Sequence, residues 1–227
     1  MVTGLADVHL DIAGTAALSG ALIDEVSAIC GKAEAAKGGT VLLRLGGAAG
    51  DGGDPYDVTV QVVNRWERAL RRLERLPAVT VAVIDGACHG PALDVLLTAD
   101  YRIAATHARL RIPSVGGGPW PGMALHRLAN QLGAGRARQV ALFGAELPAV
   151  RAGDWGLLDE VVADTVARSR DVLDALAGTS GRELSVRRRL LLEAASTSFE
   201  DALGAHLAAC DRALRLAGTD PASAPGR

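Results

Sequence analysis

The residues best placed to do chemistry in this chain of 227 residues lie between Asp85 and Asp94, in D-G-A-C-H-G-P-A-L-D. Ahead of them, Ala78 to Ile84 is an unbroken, largely β-branched apolar run, the mark of a strand buried on both faces. Behind them, Ala92 to Ala99 is apolar apart from Asp94 and Thr98. The order is strand, glycine turn over Asp85 to Gly90, then a buried helix. A helix start points unpaired backbone N–H groups and a positive dipole end into the adjoining pocket, which suits an oxyanion or a phosphate. Pro91 falls where a first helical residue is expected and its fixed φ favours that place, but it brings no N–H. His89, in the turn, could donate a hydrogen bond or act as a base, or be structural. Asp94, near the helix start, could simply balance the dipole.

Other chemistries find no support. His9, His89, His107, His126 and His206 are scattered, with no acidic or cysteine partners at ligand spacing, so no metal is expected. There is no G-x-S-x-G and no phosphate-binding G-x-x-x-x-G-K-[ST]. The glycine runs lack the sequel of a nicotinamide site. A formal net charge of −2 gives no electrostatic case for nucleic acid. No apolar run is long enough to span a bilayer. The first residues lack the basic-then-apolar order of a signal peptide, and Cys30, Cys88 and Cys210 are widely spaced and odd in number, so reduced thiols in the cytoplasm are expected.

The elements that must position Asp94 read as alternating strands and helices. Val8, Leu10 and Ile12 alternate with polar residues, predicting a half-exposed strand. Leu22, Val26 and Ile29 give helical spacing over 20–36, closed by Lys37-Gly38-Gly39. Val41 to Leu45 is a second buried strand. Gly46 to Tyr56, G-G-A-A-G-D-G-G-D-P-Y, has no apolar period and reads as a loop. A helix over 58–76 carries Val62, Trp66, Leu70 and Leu73 on its apolar face. Arg68, Arg72 and Arg75 lie on another side, solvated or facing a phosphate, and Glu67 is spaced to pair with Arg71. After Tyr101 to Ala104 and Ala108 to Ile112, both strands, the chain ends in two helices. The first, over 182–195, holds Arg187-Arg188-Arg189. The second carries an apolar stripe of Phe199, Leu203, Leu207, Cys210 and Leu214. With 49% hydrophobic and 3% aromatic residues, alanine, leucine and valine must fill the interior.

The central stretch resembles the signature of the crotonase (enoyl-CoA hydratase/isomerase) superfamily. There a buried strand runs into N-G-x-A-x-G-G-G-x-E-L and then C-D-x-R-I-A. Here Asp85-Gly86-Ala87-Cys88-His89-Gly90-Pro91-Ala92-Leu93-Asp94-Val95 and Ala99-Asp100-Tyr101-Arg102-Ile103-Ala104 stand in those places. Pro113, Gly122, Leu125-His126-Arg127-Leu128 and Gly156-Leu157-Leu158-Asp159-Glu160-Val161-Val162 continue the pattern in the family's order. The resemblance covers roughly residues 5–165. It implies an α/β fold, a crotonase-like ββα spiral over 1–165. A C-terminal helical region over 166–217 would cover the site and build a homo-trimer or hexamer. A tail over 218–227 is expected to be disordered.

For the site, the resemblance implies an acyl-CoA substrate whose enolate two backbone N–H groups stabilise. No cofactor is implied beyond the coenzyme A that the substrate carries. Asp94 stands for the helix glutamate, one methylene shorter. Ser114 stands for the second glutamate and cannot act as an acid or base near neutral pH, so it fills space or orients substrate. Pro91 takes the place of an oxyanion donor, which is then either lost or supplied by Gly90 or Ala92. The second donor falls in the glycine loop, at Asp51 and Gly52. Hydration of an enoyl-CoA, which needs both carboxylates, is expected to be impaired.

Within the superfamily, the stretches at Trp66 to Pro77, Gly117 to Leu125 and Thr197 to Gly204 are similar to the DpgB-type branch of dihydroxyphenylglycine pathways in glycopeptide antibiotic biosynthesis. That likeness implies an accessory role. With a type III polyketide synthase and a second crotonase-like enzyme as partners, the chain would aid cyclisation and dehydration of a polyketide acyl-CoA to 3,5-dihydroxyphenylacetyl-CoA. The alternatives are a catalytically degenerate partner that scaffolds the synthase, and an ordinary enoyl-CoA hydratase.

Overall fold

Alternation in V-H-L-D-I-A produces the edge strand β1 (Val8–Ala13), with Val8, Leu10 and Ile12 buried and Asp11 exposed. A computed structural model gives this and the following elements; it describes residues 8–36, 39–47 and 56–219. β2 (Thr40–Gly47) and β3 (Val79–His89) are apolar along most of their length and lie inside the sheet. With β4 (Tyr101–Ala105) and β9 (Glu160–Val162) they form the order β1-β2-β3-β4-β9, parallel throughout. Parallel neighbours require crossovers. α1 (Gly20–Ala35), α2 (Val60–Leu73) and α3 (Gly90–Leu96) make the first three, each returning the chain to the same end of the sheet. Ser19 caps α1, its Oγ accepting from the Leu22 N–H at 3.2 Å.

The expected turn over 85–90 is instead the continuation of β3. Val79 to Gly86 pair with β2, and Ala87 to His89 pair with β5 (Arg109–Arg111), so one strand serves two parts of the sheet. Glycine makes this possible. Gly86 has φ +91°, and a Cβ there would lie 2.3 Å from the Gly47 carbonyl oxygen. A Cβ on Gly14 would lie 1.6 Å from the Ala87 oxygen, and the His89 N–H donates to the Gly14 carbonyl at 2.9 Å. Likewise Gly46 and Gly47, expected in a loop, belong to β2. Residues 48–55 of that loop lie outside the described residues.

Helices cover both faces of the sheet. One face carries the larger core, where Val26, Leu43, Leu70, Ile84 and Leu96 meet. The other carries Leu42, Val81, Val83 and Ile103, covered by Val172 and Leu173 of α6 (Thr165–Leu176). The sequence reading placed two helices after the core; α6 is a third, started by Asp164, which accepts from the Ala167 N–H at 2.9 Å. β5 also pairs with β8 (Leu147–Pro148), and β6 (Ser114–Val115) with β7 (Gly118–Pro119), both antiparallel. α4 (Met123–Ala141) breaks at Gly133, φ +74°. α5 (Ala149–Asp154) leads into β9.

α7 (Gly181–Ala194) is pinned to the core by the middle of the Arg187-Arg188-Arg189 run. Arg188 is 9% exposed; its guanidinium grips Asp100 through two contacts of 2.6 Å. It also donates to the carbonyls of Glu74, Leu76 and Ala78. α8 (Phe199–Thr219) lies on α7, tied by Arg212 to Glu183 at 2.8 Å, and leaves Phe199, Leu203, Leu207 and Leu214 exposed. It runs through Gly218 to Thr219; residues 220–227 lie outside the described residues. Two expectations on α2 change. Glu67 accepts from Arg127 of α4 at 3.0 Å while Arg71 pairs with Glu74 at 2.5 Å. Arg72 is committed to Glu34 of α1 through contacts of 2.8 and 2.5 Å. A buried guanidinium across the interface competes better for Glu67 than a solvated one on the same helix.

Candidate active site

α3 is short, and its position is set mostly from its C-terminal side. Arg102 donates to the carbonyls of Leu97 and Ala99 at 3.1 and 3.3 Å, to that of Leu157 at 3.2 Å, and to Gln131 at 2.7 Å. Its burial lowers its pKa to about 10. Asp100 accepts from the N–H and the hydroxyl of Thr80, both at 2.9 Å, besides Arg188. The A-D-Y-R-I-A stretch therefore works as a clamp that fixes where α3 ends, and so where Asp94 stands, one turn earlier.

Asp94 is 3% exposed and faces the larger core. Its Oδ2 accepts from two aromatic donors, the Tyr56 hydroxyl and the Trp66 Nε1–H, the latter at 2.9 Å. No cation pairs with it in direct contact among the described residues; the nearest positive influence, Arg127, is occupied with Glu67 and Glu74. Burial therefore dominates and pushes the Asp94 carboxyl up to about 6. The bonds from Tyr56 and Trp66 act in the opposite direction, Glu67 adds to the rise, and Arg127 reduces it. Burial, together with the Asp94 charge, also drives Tyr56 far above the usual phenol range. It is a neutral donor at any physiological pH. The Tyr56 ring is in turn stacked on Trp120, centroids 4.5 Å apart and planes 9° from parallel. An acid with its pKa near neutrality, held in a dry aromatic setting, is the arrangement general acid–base chemistry needs.

The start of α3 matches the expectation from the sequence. Gly90, with φ +52°, Pro91 and Ala92 are all buried, and Pro91 offers no N–H to this end of the helix. Of the expected donors there, Gly90 and Ala92 remain. Asp51 and Gly52, the expected second donor region, lie outside the described residues. Ser114 is exposed at the start of β6, on a hairpin whose β7 strand leads directly into Trp120; the Trp120 N–H donates to the Pro113 carbonyl at 2.8 Å.

His89 is not gathered with Asp94. Successive residues of a strand point to opposite faces. Cys88 faces Asp94, whose charge adds to the burial that raises its thiol pKa. His89 faces the other way, into a groove of about 930 Å³ lined by Arg44, Asp85, His107, Arg109, Arg111 and Glu146 among others. Burial lowers the His89 pKa, and the Arg111 charge lowers it further. Two contacts join polar side chains of the groove, His107 with Asp85 at 2.9 Å and Arg109 with Glu146 at 3.4 Å. No group of three metal-ligating side chains occurs among the described residues.

Sequence reasoning missed Tyr56 and Trp120 as site residues and took Trp66 for core filling. Scarcity was the available signal. The chain has two tyrosines and three tryptophans; one of each donates to Asp94, and a second tryptophan stacks on that tyrosine.

Comparison with known proteins agrees with this architecture. The chain is 44% identical over 214 residues to an "Enoyl-CoA-hydratase" of Amycolatopsis orientalis, covering 94% of this chain and 98% of that one. It is 38% identical over 104 residues to an enoyl-CoA isomerase/hydratase of Mycosarcoma maydis, a match to 45% of this chain and 38% of that protein. An enoyl-CoA hydratase structure from Bacillus anthracis superposes with a TM-score of 0.77 at 20% identity, over 95% of this chain and 92% of that one, which shows the crotonase-like fold. The family model for enoyl-CoA hydratase/isomerase matches residues 52–211, a span that includes Tyr56, Asp94 and Ser114. On these grounds the chain belongs to the enoyl-CoA hydratase/isomerase family.

Proposed function

We propose that this protein moves a proton at the α-carbon of an acyl-CoA thioester with one carboxylate, Asp94, and that its substrate is a polyketide acyl-CoA made by a type III polyketide synthase. The observation that carries this reading is the contrast between the two carboxylate places of the family pattern. Asp94 keeps a buried acid with a pKa near 6, and Ser114 has none. One acid can take or return one proton, which serves an enolisation, a ring closure or a loss of water. Activating a water and protonating a carbon in one addition calls for two. A β-keto thioester is already acidic at its α-carbons, so a site with Pro91 at the helix start still suffices for it. Coenzyme A would arrive with the substrate, and no further cofactor is needed. A second crotonase-like enzyme and the synthase are the partners this role requires. Self-association into a trimer or hexamer would cover the exposed apolar side of α8.

Reconstitution tests the reading: synthase and malonyl-CoA with and without this protein, with product 3,5-dihydroxyphenylacetyl-CoA measured by chromatography. Wild type is expected to raise the aromatic yield and Asp94→Ala to remove most of the gain. Full enhancement by Asp94→Ala would refute the chemical role and favour a scaffolding partner. The likeness to the Amycolatopsis protein favours a second reading, an ordinary hydratase. Rapid loss of crotonyl-CoA absorbance on adding this protein would establish it.

A further inference from the structure

The geometry points to Tyr56 as a positioning residue for Asp94: its hydroxyl, with the Trp66 Nε1–H, holds the carboxylate by one oxygen, and the stack on Trp120 holds Tyr56. The inference rests on the reading of Asp94 given above. Three elements meet here. Tyr56 lies just ahead of α2, Trp66 lies on α2, and Trp120 follows the β6–β7 hairpin. Tyr56 and Trp66 are buried where they meet Asp94, at 4% and 0% exposed, and Trp120 is half-buried. The other titratable groups acting on Asp94 are Glu67 of α2, Cys88 of β3 and Arg127 of α4. Glu67 and Arg127 are engaged with each other at 3.0 Å, and Cys88 is a buried neutral thiol. Of the polar groups around the acid, Tyr56 and Trp66 alone among the described residues donate to it directly.

Two donors on one oxygen do two things. They fix the carboxylate rotamer relative to α3, and they favour its charged form, so that a deeply buried acid still ionises near neutral pH. Removing the Tyr56 hydroxyl while keeping its ring should leave the stack intact and raise the Asp94 pKa by about one unit or more.

The test is Tyr56→Phe, read in two ways. The first is the carboxyl titration of Asp94 in 13C-aspartate-labelled protein, assigned by its absence in Asp94→Asn. The second is the pH profile of deuterium exchange at the α-carbon of acetoacetyl-CoA, catalysed by the full chain. Tyr56→Phe should move the Asp94 titration and the acidic limb of the exchange profile upward together. Near pH 6 the rate should fall about fivefold or more and recover at higher pH, with KM unchanged. 3-Fluorotyrosine at position 56, a stronger donor, should move both the other way. If Asp94→Asn abolishes exchange while Tyr56→Phe changes neither titration nor profile, the positioning role is overturned and the reading of Asp94 stands. If Asp94→Asn leaves exchange unchanged, that reading fails and the role assigned to Tyr56 fails with it. If Tyr56→Phe does not fold, the fluorotyrosine protein decides, an unmoved limb overturning the proposal.

Discussion

Replacing Asp94 by asparagine should change the stability of the protein by an amount that depends on pH in a defined way. The folded-state value of about 6 stands against an ordinary 3.8. A carboxyl raised on folding contributes stability that is fully present below about pH 3.8 and is lost as pH rises through about 6. Roughly two units at 1.36 kcal/mol each make that loss about 3 kcal/mol. Asparagine cannot ionise, so Asp94→Asn escapes it. Its amide oxygen can still accept from Tyr56 and Trp66, while its NH2 group needs a new partner at a cost of about 1–3 kcal/mol. That cost is a constant offset; the pH-dependent part is the signature of the buried acid. Urea unfolding of both proteins from pH 4 to 7.5, compared pairwise so that the remaining carboxylates cancel, isolates it. The variant should gain on wild type by about 2.5 kcal/mol across that range. A difference that stays flat would mean that Asp94 titrates as an ordinary aspartate, and the electrostatic account of the site would be wrong.

Two other perturbations probe the frame around the site. Arg188→Ala should destabilise the fold by about 3–5 kcal/mol, because it leaves Asp100 and the carbonyls of Glu74, Leu76 and Ala78 without their buried partner; thermal unfolding reads it, and an unchanged Tm would refute the clamp. His89→Ala should leave α-proton exchange on acetoacetyl-CoA within about twofold of wild type, because its side chain lines the groove on the far face of β3; a loss comparable to that of Asp94→Ala would place His89 in the chemistry after all.

Legibility followed local physics. The alternation in β1, the buried runs of β2 and β3 and the proline at the start of α3 depend on near neighbours in sequence, and each was readable. The continuation of β3 through Asp85 to His89 was not. It depends on glycine at 14, 46 and 86 letting separate strands approach closely, and a glycine looks the same in a turn as at such an approach. The ion pairs of α2 were misread for a similar reason: i,i+4 spacing proposes Arg71 for Glu67, but the decision lies with Arg127, sixty residues away. His89 was read as a possible donor or base because it stands beside Pro91, yet strand parity turns its side chain away from that of Cys88 and into the groove. Tyr56 ended a glycine loop and carried no periodic signal, so its bond to Asp94 could come only from the fold.

The proposed role of Asp94 gives its burial a purpose other than packing. An apolar residue at this position of α3 would cost no desolvation and would need no donors. Structural acids elsewhere in the chain are treated differently: Asp100 and Glu74 are each matched to an arginine, and Glu160, matched to Arg168, is held down to about 2. Asp94 receives two neutral donors in place of a cation. Two hydrogen bonds orient a carboxylate without locking it in the charged form as a guanidinium would, so the proton can still come and go near pH 6. Replacing the pair by an arginine would give a more strongly held residue and an inert one. The same logic explains why the neighbours are aromatic: they exclude water from the acid, keeping it hard to ionise, while presenting an O–H and an N–H at fixed angles. Under the proposed function, a buried acid whose neighbours hold it poised between two protonation states, in a frame clamped by Arg102 and Arg188, is the group that would carry the proton.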